Sequence, residues 1–266
     1  MRSRHVLPLV SAGLGTGLGV LLLRRGVVMG PDSWAYWEGS VSLLEKREYA
    51  YLGGARITAF PPLFSAALAL VQAAVGVSMR SVAVAVAALA GLASFLWTSL
   101  YVSVKADPAP SPADVLAVPM IAGTLAVSAQ TLLSESLWLA ILPALLWPLL
   151  RNRPAEATTR LLVAWAGLLA ALLLTRNATV ALLPGTALLL WRRLPEWSAP
   201  RRLAAVIAVV GGALVPWLAV RAWLGQLGAH APGRGAHGVL AYTGQALAGL
   251  AAGLGPERLG IGTVLL

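Results

Sequence analysis

Charged side chains are scarce along this chain, and several stand beside hydrophobic runs. Glu135, in Ser134-Glu135-Ser136, lies within a hydrophobic hairpin, and Arg176, in Thr175-Arg176-Asn177, occupies the tight turn between two apolar segments. Asp32 follows the first apolar run in the stretch Gly30-Pro31-Asp32-Ser33-Trp34-Ala35-Tyr36-Trp37-Glu38, and Arg221 closes a later run. An ionisable group beside hydrocarbon is costly, so a functional role is the default reading. A carboxylate at a membrane edge suits a general base, and a guanidinium suits a phosphate. Each residue also has a plain structural reading. Asp32 can cap a helix by accepting the backbone N–H of Trp34 or Ala35, and Glu135 can cap a segment starting at Ser134 or Ser136. Arg176 can be a headgroup anchor that snorkels to the interface.

Other chemistries find no support in the residues present. There is no cysteine, which excludes disulfides and thiolate nucleophiles. No phosphate-binding Gly-rich loop and no HExxH occurs, and His5, His230 and His237 form no metal-ligand cluster. His230 and His237 fall in a Gly-rich stretch and read as solvated. Asn177-Ala178-Thr179 matches a glycosylation acceptor, but it sits at a membrane hairpin and is discounted.

The elements that must position these groups are membrane helices. Of the 266 residues 58% are hydrophobic and 11% charged, with a mean hydropathy of +0.78; a soluble domain carries about a quarter charged residues. Apolar runs cover Val6–Leu23, Phe60–Val77, Ser81–Val104, Val115–Leu132, Ser136–Leu150, Leu161–Leu174, Ala178–Trp191 and Leu203–Val220. The expected fold is therefore all-α, a polytopic helical membrane protein. The basic N-terminus and first run resemble a signal peptide, but no small-residue cleavage site follows, which makes an uncleaved first span. Gly15 and Gly19 within it fit small-xxx-small helix packing. Gly13, Gly15, Gly17 and Gly19 do not make a dinucleotide fingerprint, because no strand precedes them.

The formal charge of +10 is mostly arginine in short loops, where it sets topology and meets lipid headgroups rather than nucleic acid. Arg151, Arg153 and Arg160 fill one loop, and Arg192, Arg193, Arg201 and Arg202 another, so both are expected on the cytoplasmic side. Counting back puts Arg176 and Glu135 outside, Lys105–Asp114 inside and Met79-Arg80 outside. Counting forward from a cytoplasmic Arg2 and Arg4 also puts 24–59 outside, against the preference of Arg24 and Arg25. The two counts agree only if Phe60–Val77 enters and leaves on one face, with a break at Pro61-Pro62. Trp34, Tyr36 and Trp37 then suit an interfacial helix. The expected organisation is one membrane domain over 1–266. It comprises a first span (1–23), an outer loop with interfacial or re-entrant helices (24–79), a six-span bundle (80–221), and an outer loop leading into further spans (222–266). The sequence ends inside the apolar run Ile261–Leu266, as a fragment or truncated form of a longer protein would.

These motifs, taken in order, resemble a known family. Asp32-Ser33-x-x-Tyr36 followed by Phe60-Pro61-Pro62-Leu63-Phe64 is similar to the first outer loop of GT-C fold glycosyltransferases. That group includes the protein O-mannosyltransferase and aminoarabinose-transferase relatives that use polyprenyl-phosphate sugars. Ser134-Glu135-Ser136-Leu137-Trp138 resembles their second acidic loop, and Thr175-Arg176-Asn177 their arginine turn. The run from Val215 through Pro216 and Trp217 to Arg221 looks like the Pro-Trp…Arg stretch that closes a later span. The resemblance covers roughly Gly30 to His237. It departs at Phe60, where a lysine is often found, and at Ala222, where an asparagine is common.

The resemblance implies a core of about seven spans in the cell membrane with the active site on the non-cytoplasmic face. It implies inverting transfer of a hexose or pentose from a polyprenyl phosphate to an acceptor hydroxyl. Asp32 would be the base, Glu135 a second carboxylate that orients the acceptor, and Arg176 with Arg221 the phosphate ligands. Ser33, Tyr36, Pro61 and Pro62 would position substrate. No cofactor is required; a divalent metal, if used, would fall to Asp32 and Glu135. A transporter or flippase, with Glu135 and Arg176 lining a pathway, and a non-catalytic membrane scaffold are the competing readings. The absence of an internal repeat and the placing of both charges at segment ends weigh against the transporter.

Overall fold

A backbone in hydrocarbon must satisfy its own N–H and C=O groups, and an apolar chain without closed sheets does so as helices. The computed structural model describes residues 6–24, 26–105, 111–130, 134–150 and 159–225. Arg2, Arg4, His5, Arg25, Arg151, Arg153, His230, His237 and the segment 226–266 lie outside the described residues. The chain divides into two units, Met1–Leu224 and Gly225–Leu266, and the architecture below belongs to the first.

Its regular elements are helices: α1 (Val6–Leu23), α2 (Pro31–Glu45), α3 (Leu63–Val75), α4 (Met79–Val104), α5 (Pro112–Gln130), α6 (Glu135–Leu150), α7 (Thr159–Thr175), a 3-10 segment (Asn177–Leu182), α8 (Leu183–Arg193) and α9 (Ala199–Trp223). Among the described residues the extended pairing is one isolated bridge, Ala50 with Arg56. Three helices, α1, α4 and α9, are long and apolar enough to cross a bilayer. Their outward faces carry Leu9, Val20 and Leu21 on α1, Val84 and Leu92 on α4, and Ile207 and Val215 on α9, all exposed. Ser11, Ser94, Thr98 and Thr175 are buried instead. Apolar outside and small polar inside is the arrangement that hydrocarbon favours.

The α1–α4 seam depends on residues without bulk. A Cβ on Gly15 would meet Ser94 Oγ at 2.2 Å, and one on Gly91 would meet Thr16 Oγ1 at 2.0 Å. At Gly19 the neighbour is the Ala87 backbone at 3.3 Å. The Thr98 hydroxyl donates to Ser11 Oγ at 2.8 Å across the same buried contact. The partner number falls along α4 as it rises along α1, so the two helices are antiparallel and α4 begins at the end where α1 stops.

The stretch between them therefore leaves and returns at one end of the bundle. Within it α3 has 13 residues, about 20 Å of helix, against a hydrocarbon core of about 30 Å. The apolar run expected over Phe60–Val77 is thus shortened at both ends. Proline at 61 and 62 keeps the helix from starting before Leu63, and Gly76, at φ 91°, stops it while its N–H bonds to Gln72 O at 2.8 Å.

Two further expectations on element limits are corrected. The apolar run expected from Ser81 is preceded in the helix by Met79-Arg80, which form the first turn of α4, because the Ser78 hydroxyl accepts the Ser81 N–H and caps the helix there. The run Ala178–Trp191, read as one segment, is divided into the 3-10 segment and the 11-residue α8. Pro184 accounts for the change of helix at that point, since its ring fits the first turn of a new helix.

A second core joins α6, α7, α8 and α9 through Leu145, Leu169, Leu173, Leu190, Val209 and Ala213. Trp97 Nε1 donates to Leu139 O at 2.9 Å and ties α4 to α6. At the end away from Glu135, the Arg193 guanidinium donates to Leu149 O, and Arg201 lies 4.2 Å from the Trp197 ring centre. Lys105 and the buried Asp114 pair there at 2.8 Å.

The seam yields a test. Gly15→Leu should lower stability by about 1–3 kcal/mol through overpacking, whereas Gly17→Ala, which meets nothing within 4 Å, should leave it unchanged. Thermal unfolding of both variants in detergent measures this; a Gly15→Leu protein as stable as the parent would remove the close seam.

Candidate functional site

Helix α2 buries one edge. Ser33, Tyr36 and Ser40 recur at helical spacing and are all buried, while Asp32 and Trp34 face out. The helix begins at Gly30, whose N–H donates to Ser33 Oγ at 3.1 Å. Asp32 is therefore not the cap its sequence position suggested; it stands one residue into the first turn with its carboxylate exposed. Ser33 is fully buried and spends its hydroxyl on closing that turn.

Tyr36 is the hinge between α2 and the rest of the bundle. Its ring lies 5.3 Å from Phe60 and 5.1 Å, edge-on, from Phe64, and the Ser65 hydroxyl donates to its carbonyl at 3.1 Å. Its own hydroxyl donates to Ser134 Oγ at 3.0 Å. Burial pushes the Tyr36 phenol above its ordinary value, the Ser134 bond and the Arg176 charge pull it back in part, and the Asp32 charge raises it further. The phenol thus stays protonated as a donor, with Asp32 and Arg176 both within electrostatic reach of one hydroxyl.

The loop after α2 is braced onto the same edge. The Leu52 N–H donates to Glu38 Oε2 at 2.9 Å, and a Cβ on Gly39 would meet Tyr49 at 2.7 Å. The buried Pro61 offers its carbonyl to the Tyr49 hydroxyl at 3.5 Å, and Pro62 sits at the start of α3. Tyr49 and Ile57 pack in turn with Val220 and Leu224 at the end of α9.

Ser134 precedes α6, its carbonyl accepting the Trp138 N–H at 2.9 Å. Glu135 then occupies the first turn, where the helix dipole favours a carboxylate. Arg176 follows the last turn of α7, where the dipole favours a cation, and its N–H closes that turn on Leu172 O at 2.9 Å. Glu135 Oε1 and Arg176 Nη1 form an ion pair, with side chains 34% and 38% exposed. The pair is accessible enough for a ligand to reach.

The residues after Arg176 are held from two other helices. Trp138 Nε1 of α6 donates to Thr179 Oγ1 at 2.8 Å, and that hydroxyl donates to Leu172 O at 2.9 Å. Trp217 Nε1 of α9 donates to Asn177 Oδ1 at 3.3 Å. Arg221, one turn further on α9, lies with its guanidinium carbon 4.9 Å from the Trp217 ring centre. Its Nε is buried and finds no hydrogen-bond partner among the described residues, and the same holds for Ser136 Oγ.

Of the residues expected from sequence, the structure brings Glu135 and Arg176 into contact, with Tyr36 one residue away through Ser134. Arg221 joins through Trp217. Ser33, Pro61 and Pro62 serve the start of α2 and α3 and the seating of the loop. Trp138, Asn177, Thr179 and Trp217 stood within the sequence motifs, but no part in holding the arginines was assigned to them. The available signal was the indole itself, because a buried Trp N–H needs an acceptor.

Among the described residues no group of three His, Cys, Asp or Glu side chains gathers, and Glu135 already faces a guanidinium. Comparison with protein-family models, curated proteins and solved structures finds no match.

The ion pair can be checked by exchange. Glu135→Arg alone should lower the thermal midpoint, and adding Arg176→Glu should restore part of it. At this exposure the pair contributes about 1 kcal/mol or less. Equal midpoints for the single and double variants would mean that the two side chains do not interact.

Proposed function

We propose that the chain is a membrane glycosyltransferase that moves a sugar from a polyprenyl-phosphate donor to an acceptor hydroxyl at the non-cytoplasmic face. The observation that supports it is the Glu135–Arg176 pair at the end of the bundle where α2 is docked. Segments far apart in sequence, at Asp32–Tyr36, Ser134–Trp138, Arg176–Thr179 and Trp217–Arg221, are linked there by consecutive contacts. These are the segments that resemble the GT-C motifs.

In this reading α1, α4, α5, α6, α7, the 3-10 segment with α8, and α9 make seven crossings, while α2 and α3 stay at the outer face. The donor lipid cannot leave the bilayer, so the reacting carbon must be met at headgroup depth, where the exposed Trp34 and Asp32 of α2 would lie. Asp32 accepts the proton of the acceptor O–H as that oxygen attacks the anomeric carbon. The bond from that carbon to the phosphate oxygen breaks, and its electron pair leaves with the phosphate. Arg176 and Arg221 stabilise the growing negative charge. One displacement inverts the configuration. A retaining enzyme would need two carboxylates flanking one bond, one of them as nucleophile, whereas Glu135 is paired with Arg176. No step is routed through a metal.

The test is transfer of radiolabelled sugar from polyprenyl-phosphate donors in membranes containing the full chain. The parent should transfer, and Asp32→Asn should lose at least about 100-fold, the scale of a general base, while still inserted and folded. Retained transfer in Asp32→Asn would remove Asp32 as base. No transfer by the parent from hexose or pentose donors would turn the reading towards a transporter or scaffold.

A further inference from the structure

Of the two arginines assigned to the phosphate, Arg176 stands in the turn after α7 and Arg221 on α9, with no direct bond between them. What connects them is Trp217. Its indole N–H holds Asn177, the neighbour of Arg176, at 3.3 Å, and its ring face carries Arg221, 4.9 Å from the ring centre. Both contacts come from one side chain that is 8% exposed and packed in the α6–α9 core with Leu169, Ala213 and Leu173. A large aromatic wedged in a packed core has few alternative rotamers, so it sets a fixed spacing for whatever it touches.

The charges do not balance across this unit. Glu135 neutralises Arg176. Among the described residues, Arg221 meets the ring face of Trp217 and its buried Nε is unpaired. A buried donor left without an acceptor is expensive, and a guanidinium N–H is suited to an oxygen-rich anion.

We infer that Trp217 is a positioning residue that sets Arg176 and Arg221 as one two-guanidinium anion site, fitted to the phosphate of a lipid-linked phosphoester. This rests on the proposed function and adds the residue that builds the donor site. Glu135 holds Arg176 in the unliganded protein, and the incoming phosphate competes with that carboxylate for the guanidinium. Arg221 supplies the charge that lets the phosphate win, since among the described residues it has no carboxylate partner to give up.

The test is binding of a short-chain polyprenyl phosphate to the full chain in nanodiscs, with the matching polyprenol as the uncharged control. The parent should prefer the phosphate, and raised salt should weaken that preference. Trp217→Phe keeps a ring under Arg221 and loses the N–H, so phosphate affinity should fall by about 5- to 10-fold, with polyprenol affinity unchanged. Asn177→Ala should produce the same loss, and the double variant should lose no more than either single, because all three remove one bond. Trp217→Leu should lose more than Trp217→Phe, since Arg221 then loses its support.

Parental phosphate affinity in Trp217→Phe, or equal losses for phosphate and polyprenol, would overturn the positioning role and leave the glycosyltransferase reading standing. A parent that does not discriminate phosphate from polyprenol would overturn the anion site and that reading together.

Discussion

The turn at Arg176 ties this molecule together, and it does so because a helix end cannot be left unsatisfied in apolar surroundings. Helix α7 stops there, a 3-10 segment starts, and the exposed backbone and side-chain groups draw partners from elsewhere. Glu135 comes from the start of α6, the Trp138 indole from one turn further on, and the Trp217 indole from the end of α9. Tyr36 extends the same contacts to α2 through Ser134. Satisfying one helix break thus gathers the ionisable groups of four helices at one end of the bundle.

The other end of the chain is organised by an absence of bulk. The α1–α4 seam closes because Gly15, Gly19 and Gly91 let two backbones approach, with a Ser–Thr hydrogen bond inside. Dispersion between close backbones is a stronger source of helix association in lipid than apolar burial, because lipid is as apolar as the helix surface. That seam fixes where α4 begins relative to the end of α1. With that point set, the intervening α2, loop and α3 have to pack at the same end, and the short α3 and its flanking prolines suit that confinement.

Much of this was legible in the residues. Small-xxx-small spacing marked the α1 packing face before any partner was known. The paired prolines marked the start of α3, and Arg176 marked the break between α7 and the segment that follows. What escaped sequence reasoning was the use of the groups. Asp32 could be read as a base or as a cap, and the helix start at Gly30 excludes the cap while leaving the carboxylate exposed. Ser33, expected to position substrate, is buried and accepts the Gly30 N–H at the helix start. Trp138 and Trp217 stood in motifs marked by their charged neighbours, and their indole N–H groups act as donors.

The division follows from the range of the forces. Helix periodicity, proline breaks and glycine spacing act within a few residues, so the all-helical class, the break at Pro61-Pro62 and the small-residue face of α1 were set by sequence alone. Which charge meets which depends on helices packed across separations of about 40 residues, as for Glu135 with Arg176 and Asn177 with Trp217. No local pattern encodes that pairing. It arises only when the α6, α7 and α9 cores interdigitate and bring their ends to the same level, and only the tertiary structure could assign Glu135 to Arg176 and Trp217 to the ground between two arginines.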